Sequence, residues 1–195
     1  MKKIILLLFI GTLTFNVSAQ SNSVTAGLGL LNTKIRVQLE HGFNNNMSTG
    51  ANLSYYMVNW KGPRLEGFYR IYFSDDNEKG MFVQAKAGAG LFSNVWDGDD
   101  LTFTDYNGIT YDVYESNTWM TVGGGIAFGG KITTRGGFVF ETTLGYHFWT
   151  PPLDNYSDDY DNYFSSSLNA VETIGYYVVG PGFPIDMQVK FGFNF

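Results

Sequence analysis

The strict alternation of apolar and polar residues is the feature that most constrains this fold, and it is clearest at the C-terminal end. The odd positions from 185 to 195 are all apolar: Ile185, Met187, Val189, Phe191, Phe193 and Phe195. The even positions between them are Asp186, Gln188, Lys190, Gly192 and Asn194. Because successive side chains of a strand point to opposite faces, this pattern predicts a β-strand with one apolar and one polar face.

The same alternation recurs in seven earlier segments. They cover residues 24–30, 34–43, 48–58, 64–73, 81–92, 118–128 and 137–149. Connections after the second, fourth and sixth segments are short and rich in turn residues, whereas the long ones, 93–117 and 149–182, follow odd-numbered segments. The sequence therefore predicts an all-β, eight-stranded, antiparallel up-and-down barrel with its long loops at one rim, and it predicts no helix.

The first long loop carries a hairpin signal of its own. Two short β-like runs, Leu101–Tyr106 and Ile109–Tyr114, flank Asn107-Gly108, which suits a type I′ turn. We expect this hairpin to extend the fifth and sixth strands beyond the barrel. It is too short to add spanning strands, because a tilted transmembrane strand needs about 9–11 residues.

Two orientations of the strand faces are compatible with alternation: a soluble sandwich or lipocalin-like barrel with apolar side chains inside, or a transmembrane barrel with them outside. The charged residues on the polar faces are Lys34, Arg36, Glu40, Arg64, Glu66, Arg70, Lys86, Glu141 and Lys190. A small lumen could not hold all the large apolar side chains of eight strands. We therefore predict a transmembrane barrel whose lumen contains these charges as a structural network.

The N-terminus predicts export. Lys2 and Lys3 precede an apolar run over residues 4–10, and Val17-Ser18-Ala19 suits cleavage before Gln20. The run is too short for a spanning helix, which needs about 20 residues. We assign residues 1–19 to a signal peptide and 20–195 to one barrel domain. Loss of Lys2 and Lys3 would change the formal net charge from −6 to −8.

Composition excludes several other classes. Aromatic residues make up 17% of the chain, which argues against disorder, and the absence of Cys excludes a disulfide scaffold. The acidic balance argues against a nucleic-acid partner, because phosphates are neutralised by a Lys- and Arg-rich face.

The two long loops contain most of the acidic residues and no Lys or Arg. These residues are Asp97, Asp99, Asp100, Asp105, Asp112, Glu115, Asp154, Asp158, Asp159, Asp161 and Glu172. A solvated acidic surface is the simplest interpretation. Clustered carboxylates also suit Ca²⁺, although the full EF-hand spacing is absent. The interleaved residues Tyr106, Tyr111, Tyr114, Tyr156, Tyr160 and Tyr163 would suit protein or glycan recognition by an unidentified extracellular partner.

Catalytic candidates are few. The His-Glu-x-x-His, Gly-x-Ser-x-Gly and Walker motifs are all absent, and the chain has two His residues. His41 shares a face with Leu39 and Phe43, which indicates an interfacial residue. His147 is predicted to face the lumen, but Glu141 lies about 20 Å away along the strand and cannot orient it. We predict no catalytic residues and no cofactor.

The whole chain after the signal peptide resembles small bacterial outer-membrane barrels of the OmpX/OmpA type. The resemblance rests on the signal peptide, the eight amphipathic segments, the run Glu66–Phe73 followed by a Gly-rich strand, and the ending Val189–Phe195. It implies an outer-membrane location, lipid contacts, a monomer, and recognition of Phe191, Phe193 and Phe195 by the barrel-assembly machinery.

A structural or surface-interaction role without enzymatic activity is the first expectation. A lipid hydrolase or acyltransferase and a small pore or transporter are the alternatives, although the His-x-Ser pair of the lipid A-trimming barrels is replaced here by His147-Phe148-Trp149.

Overall fold

The computed structural model describes residues 21–31, 33–57, 60–74, 76, 79–94, 102–104, 110–112, 118–151 and 173–195. These residues form ten strands: β1 (Asn22–Gly29), β2 (Lys34–Asn44), β3 (Met47–Tyr56), β4 (Trp60–Tyr72), β5 (Gly80–Asn94), β6 (Thr102–Thr104), β7 (Thr110–Asp112), β8 (Thr118–Thr133), β9 (Phe138–Trp149) and β10 (Ile185–Asn194). A short helix, residues 173–178, precedes β10. The predicted signal peptide, residues 1–19, lies outside the described residues.

Eight of the strands close into an antiparallel barrel, which confirms the predicted fold. Their order around the barrel is β1-β10-β9-β8-β5-β4-β3-β2. Each barrel strand therefore pairs with the barrel strands that precede and follow it in the chain, and the last pairs with the first. The seam between β1 and β10 continues to the chain end, where Asn22 and Phe195 exchange backbone hydrogen bonds of 3.0 and 2.7 Å. Closure leaves no unpaired sheet edge.

The connections divide between the two rims as expected. Residues 45–46, 73–79 and 134–137 join strands at one end, called here the short-turn rim, which also carries both ends of the described barrel. Residues 95–117 and 150–184 leave from the other end, the long-loop rim. Within the first long loop, β6 pairs with β7 as a separate two-stranded sheet, so the hairpin adds no barrel strands. Its turn, Asn107-Gly108, lies outside the described residues.

β4 and β8 extend furthest beyond their predicted bounds, in both cases through a stretch that contains glycine. β4 begins at Trp60, and Gly62-Pro63 lies within it, although residues 59–63 were predicted to be a connection. β8 continues to Thr133, five residues past its predicted end. Glycine fits inside the barrel at Gly129 because a Cβ there would lie 2.5 Å from the Phe82 ring. Gly129 therefore makes room for a lumen ring, whereas Gly62 allows the backbone of β5 to approach, because a Cβ there would lie 1.9 Å from the Leu91 carbonyl oxygen.

The faces of the strands are inverted relative to a soluble protein. β4 shows this clearly: Arg64, Glu66 and Arg70 are fully buried, whereas Leu65 and Ile71 are exposed. The soluble alternative, with apolar faces inward, is therefore wrong. Among the described residues, no helix is long and apolar enough to cross a membrane.

Candidate functional site

The barrel interior near the short-turn rim is organised around one arginine. Arg70 of β4 places Nη1 2.9 Å from Glu40 Oε2 and Nη2 2.9 Å from Glu141 Oε1. Its Nη2 also donates to Gln84 Oε1 at 2.7 Å. Because inward residues on β2, β4, β5 and β9 meet at this guanidinium, a single side chain bridges strands from opposite walls of the barrel.

Both carboxylates that bind Arg70 have further partners. Glu40 also accepts from Ser48 Oγ at 2.6 Å, the Tyr72 hydroxyl at 2.6 Å and Lys131 Nζ at 3.2 Å. Glu141 pairs with Lys190 Nζ at 2.5 Å and accepts from Gln38 Nε2 at 3.2 Å. Every one of these side chains is buried. Buried charges require such partners, because an isolated ion in a low-dielectric interior is strongly destabilising.

A second network lies toward the long-loop rim and is centred on Asp186 of β10. Its carboxylate lies 2.8 Å from Lys34 Nζ, 2.5 Å from Lys86 Nζ and 3.5 Å from Arg36 Nη1. Glu66 completes the group, with its carboxylate 2.5 Å from Arg36 Nη2 and 3.4 Å from Lys86 Nζ. Two acidic side chains thus hold three cations across the lumen.

Arg64 differs from the other described lumen cations because no carboxylate lies within ion-pairing distance of it. Its Nη1 donates to the Tyr56 hydroxyl at 2.5 Å and its Nη2 to the carbonyl oxygen of Pro181 at 2.6 Å. The guanidinium carbon lies 3.8 Å from the ring centre of Trp149, a cation–π distance. Its Nε has no hydrogen-bond partner.

The structure brings all nine predicted lumen residues into the interior and adds two charged ones that the sequence interpretation missed. Asp186 lies on the same face of β10 as Gln188 and Lys190, so the alternating pattern was sufficient to predict that Asp186 faces the lumen. Lys131 falls in residues 130–136, which were predicted to be a short, polar connection rich in turn residues. Among the described residues, the lumen then holds seven Lys and Arg side chains and four carboxylates.

Aromatic side chains close the interior at the long-loop rim. The cluster, called here the aromatic cap, comprises Tyr56, Trp60, Phe92, Trp119, Trp149 and Tyr176. Tyr176 comes from the helix 173–178 and is fully buried, with its hydroxyl 3.1 Å from Thr121 Oγ1. Burial raises the pKa of Tyr176 to about 12. The prediction that the chain has no helix is wrong here, because this helix is short and its one inward residue gives no periodic pattern.

His147 lies between the Asp186 network and the aromatic cap. Its Nε2 lies 2.6 Å from the carbonyl oxygen of Phe183, which can only accept, so Nε2 carries the proton. Its Nδ1 is 3.9 Å from Asp186 and makes no hydrogen bond. The ring is fully buried, and among the described residues no Ser, Thr or Tyr hydroxyl forms a hydrogen bond with it. His41 lies elsewhere, with its Nδ1 2.7 Å from Asn22 Oδ1 near the short-turn rim.

The remaining predicted residues are distributed as follows. Phe191, Phe193 and Phe195 are exposed on the outer surface, and the first two contact the Phe138 ring. The side chains of the acidic cluster, Asp97, Asp99, Asp100, Asp158, Asp159 and Asp161, lie outside the described residues, as do those of the loop tyrosines. Within the described ranges, no three His, Asp or Glu side chains converge as a metal site would require.

These features define a class: a closed, eight-stranded antiparallel barrel with an apolar outer surface and an interior filled by ion pairs. No protein-family model matches the chain. A search of curated proteins also finds no match. Among solved structures, the chain is similar to the N-terminal β-barrel domain of Pseudomonas aeruginosa OprF, at 10% identity and a TM-score of 0.49. The superposition covers 90% of this chain and 96% of that one.

Proposed function

We propose that the chain is an outer-membrane protein that spans the bilayer as a monomeric barrel and has a structural or surface-interaction role. The carrying observation is the exposure of large apolar side chains on all eight barrel strands. One from each strand, in chain order, is Leu28, Val37, Leu53, Leu65, Val83, Ile126, Leu144 and Met187, each between 40% and 68% exposed. Soluble monomers rarely expose a contiguous apolar patch above a few hundred Å², so a continuous belt of this kind favours hydrocarbon as its solvent.

Aromatic side chains near the short-turn rim support the same proposal. They are Phe43, Phe73, Phe138, Phe193 and Phe195, all exposed on the outer surface. Transmembrane barrels carry aromatic girdles where their apolar band meets the lipid headgroups. Export by the predicted signal peptide and assembly through the C-terminal strand, residues 189–195, belong to this proposal.

Because side chains fill the interior, we favour a role that involves neither transport through the lumen nor enzymatic catalysis. Eight strands leave a lumen that side chains can fill, and here the two ion networks lie beneath the aromatic cap. His147 donates Nε2–H to a backbone carbonyl, and no nucleophile of the part of the chain that the structure describes is hydrogen-bonded to it, which argues against a lipid-modifying enzyme. Interaction would then fall to the acidic, Tyr-rich loops at the long-loop rim, with a partner that the loop composition leaves open.

The barrel proposal is tested by extraction and gel migration of the expressed protein. We expect the protein to require detergent for solubility and to migrate differently in SDS with and without boiling, because a closed barrel resists SDS until heated. A protein that is soluble without detergent and shows no shift would overturn the proposal.

The two alternatives have separate tests. A lipid-modifying enzyme predicts that His147→Ala changes the lipid profile of cells that express the protein, whereas we expect no change. A pore predicts discrete conductance steps in planar bilayers, whereas we expect none from the ion-paired lumen.

A further inference from the structure

The segment 173–184 has two faces with opposite surroundings. On its inner face, Tyr176 and the run Gly180-Pro181-Gly182 are buried in the mouth of the barrel. On its outer face, Ile174, Val178 and Val179 are 61%, 58% and 55% exposed. Ile174 and Val178 are four residues apart and so lie on the same side of the helix. The segment therefore closes the lumen with one face and leaves an apolar face that is exposed with respect to the described residues.

The exposed face adjoins the outer surface of the barrel. The Tyr177 ring stacks on Phe148 of β9, with ring centres 5.9 Å apart and an interplanar angle of 20°. Phe148 points outward and is 58% exposed. The Tyr177 hydroxyl donates to the carbonyl oxygen of Trp149 at 2.8 Å, which fixes the helix at the rim. The apolar face of the helix thus continues the apolar belt of β9 past the end of that strand.

The composition of the segment indicates what covers this face. No charged residue occurs from Thr173 to Ile185, although residues 152–172 of the same loop contain five acidic ones. A surface that binds a soluble polar partner usually has a polar rim. An uncharged surface with Tyr and branched apolar side chains is typical of the interface between headgroups and acyl chains.

We propose that the helix 173–178 and the residue that follows it insert Ile174, Val178 and Val179 into the bilayer interface on the long-loop side, so that lipid holds the lumen cap in place. This inference rests on the proposed function, because it needs the belt to lie in a membrane. It adds a lipid contact contributed by a loop outside the spanning strands. The same short helix then has Tyr176 in the lumen and its aliphatic side chains in the lipid.

The chain has no Cys, so single-cysteine variants can be labelled without background. We would attach an environment-sensitive nitrobenzoxadiazole dye to Val178→Cys and, separately, to Val179→Cys, and reconstitute each into phosphatidylcholine vesicles with and without lipids spin-labelled near the headgroup; the mid-strand control at position 65 is measured with lipids spin-labelled at mid-chain. Leu65→Cys, 59% exposed at mid-strand, serves as the membrane control, and Lys79→Cys in a turn at the opposite rim as the water control. The gel shift on boiling selects variants that have folded.

The inference expects blue-shifted emission at 178 and 179 and at least twofold quenching by the spin-labelled lipid, with little quenching at 79. If 65 is quenched while 178 and 179 behave like 79, the inference is overturned and the barrel proposal stands. Blue-shifted emission without lipid quenching would mean that protein covers the face, which also overturns it. If 65 itself is not quenched, the proposed function fails, and this inference fails with it.

Discussion

At the scale of single residues, Arg70 and Arg64 are both fully buried arginines of β4, but their side chains have different kinds of partner. Arg70 neutralises Glu40 and Glu141 at 2.9 Å each. Arg64 donates only to neutral oxygens and stacks on aromatic rings. Buried ion pairs contribute little net stability when complete, but removal of one partner leaves the other charge uncompensated.

We predict that Arg70→Met destabilises the barrel by about 3–5 kcal/mol, because it leaves two buried carboxylates without their shared cation. Urea unfolding in detergent micelles, followed by tryptophan fluorescence, measures the loss. The double variant Arg70→Met/Glu141→Gln should recover only part of it, because it removes one of the two carboxylates that lose a cation but leaves Lys190 with Gln38 in place of its carboxylate partner.

Arg64→Met is the matched comparison on the same strand. It should cost on the order of 2 kcal/mol, from two hydrogen bonds and the ring contacts, because it strands no carboxylate. If Arg64→Met proved as damaging as Arg70→Met, the ion-pair explanation of the interior would be wrong.

At the scale of elements, the segment 173–184 is held over the lumen by few contacts. Arg64 donates to the Pro181 carbonyl, His147 to the Phe183 carbonyl, and Tyr176 packs against Trp60 with ring centres 6.4 Å apart. Most of these contacts use the backbone of the segment, so its sequence needs to supply mainly one aromatic side chain and small residues. A Cβ at Gly182, for example, would lie 2.1 Å from the Tyr176 ring.

Tyr176→Ala should therefore open the aromatic cap without opening a channel. We expect acrylamide to quench tryptophan fluorescence more strongly, because Trp60 loses its cover, while planar-bilayer recordings stay silent since both ion networks remain. Tyr177→Phe is the control, because it removes one hydrogen bond but keeps the stack on Phe148, and its quenching should match the parent protein. Conductance in Tyr176→Ala would show that the cap, and not the ion pairs, closes the lumen.

Elements differ in how far the sequence could predict them. Strands with strict alternation, such as β9 and β10, were predicted closely because each position has only one of two environments. β4 and β8 were predicted too short because glycine signals a turn in isolation, whereas here Gly129 of β8 accommodates the Phe82 ring and Gly62 of β4 accommodates the backbone of β5. The partners within the lumen could not be predicted, because alternation gives the face of a residue but not its register against distant strands. Arg70 and Glu141, for example, are 71 residues apart and meet across the interior.

At the scale of the whole molecule, charge is separated by region. Seven of the Lys and Arg side chains are buried in the described lumen, against four carboxylates, while the two long loops hold eleven acidic residues and no basic ones. The outer belt has almost no charge. This distribution of charge is the one that the proposed membrane location requires, since a transmembrane barrel combines a polar interior with an apolar outer wall.

The outer face of β4 offers a test of that wall by depth. Leu65 lies near the middle of the strand, Phe73 follows its end at the short-turn rim, and Lys61 is a natural charge near the long-loop rim. Leu65→Arg should destabilise the barrel by about 2–4 kcal/mol in vesicles. The introduced charge at Phe73→Arg should destabilise it by only about 0–1 kcal/mol, because the free-energy penalty for a charged side chain falls toward the membrane interface. Lys61→Arg, which preserves the charge, should be neutral. Unfolding by urea or guanidinium from phosphatidylcholine vesicles gives the three values. A flat profile, with Leu65→Arg no worse than Phe73→Arg, would mean that water and not hydrocarbon surrounds the belt.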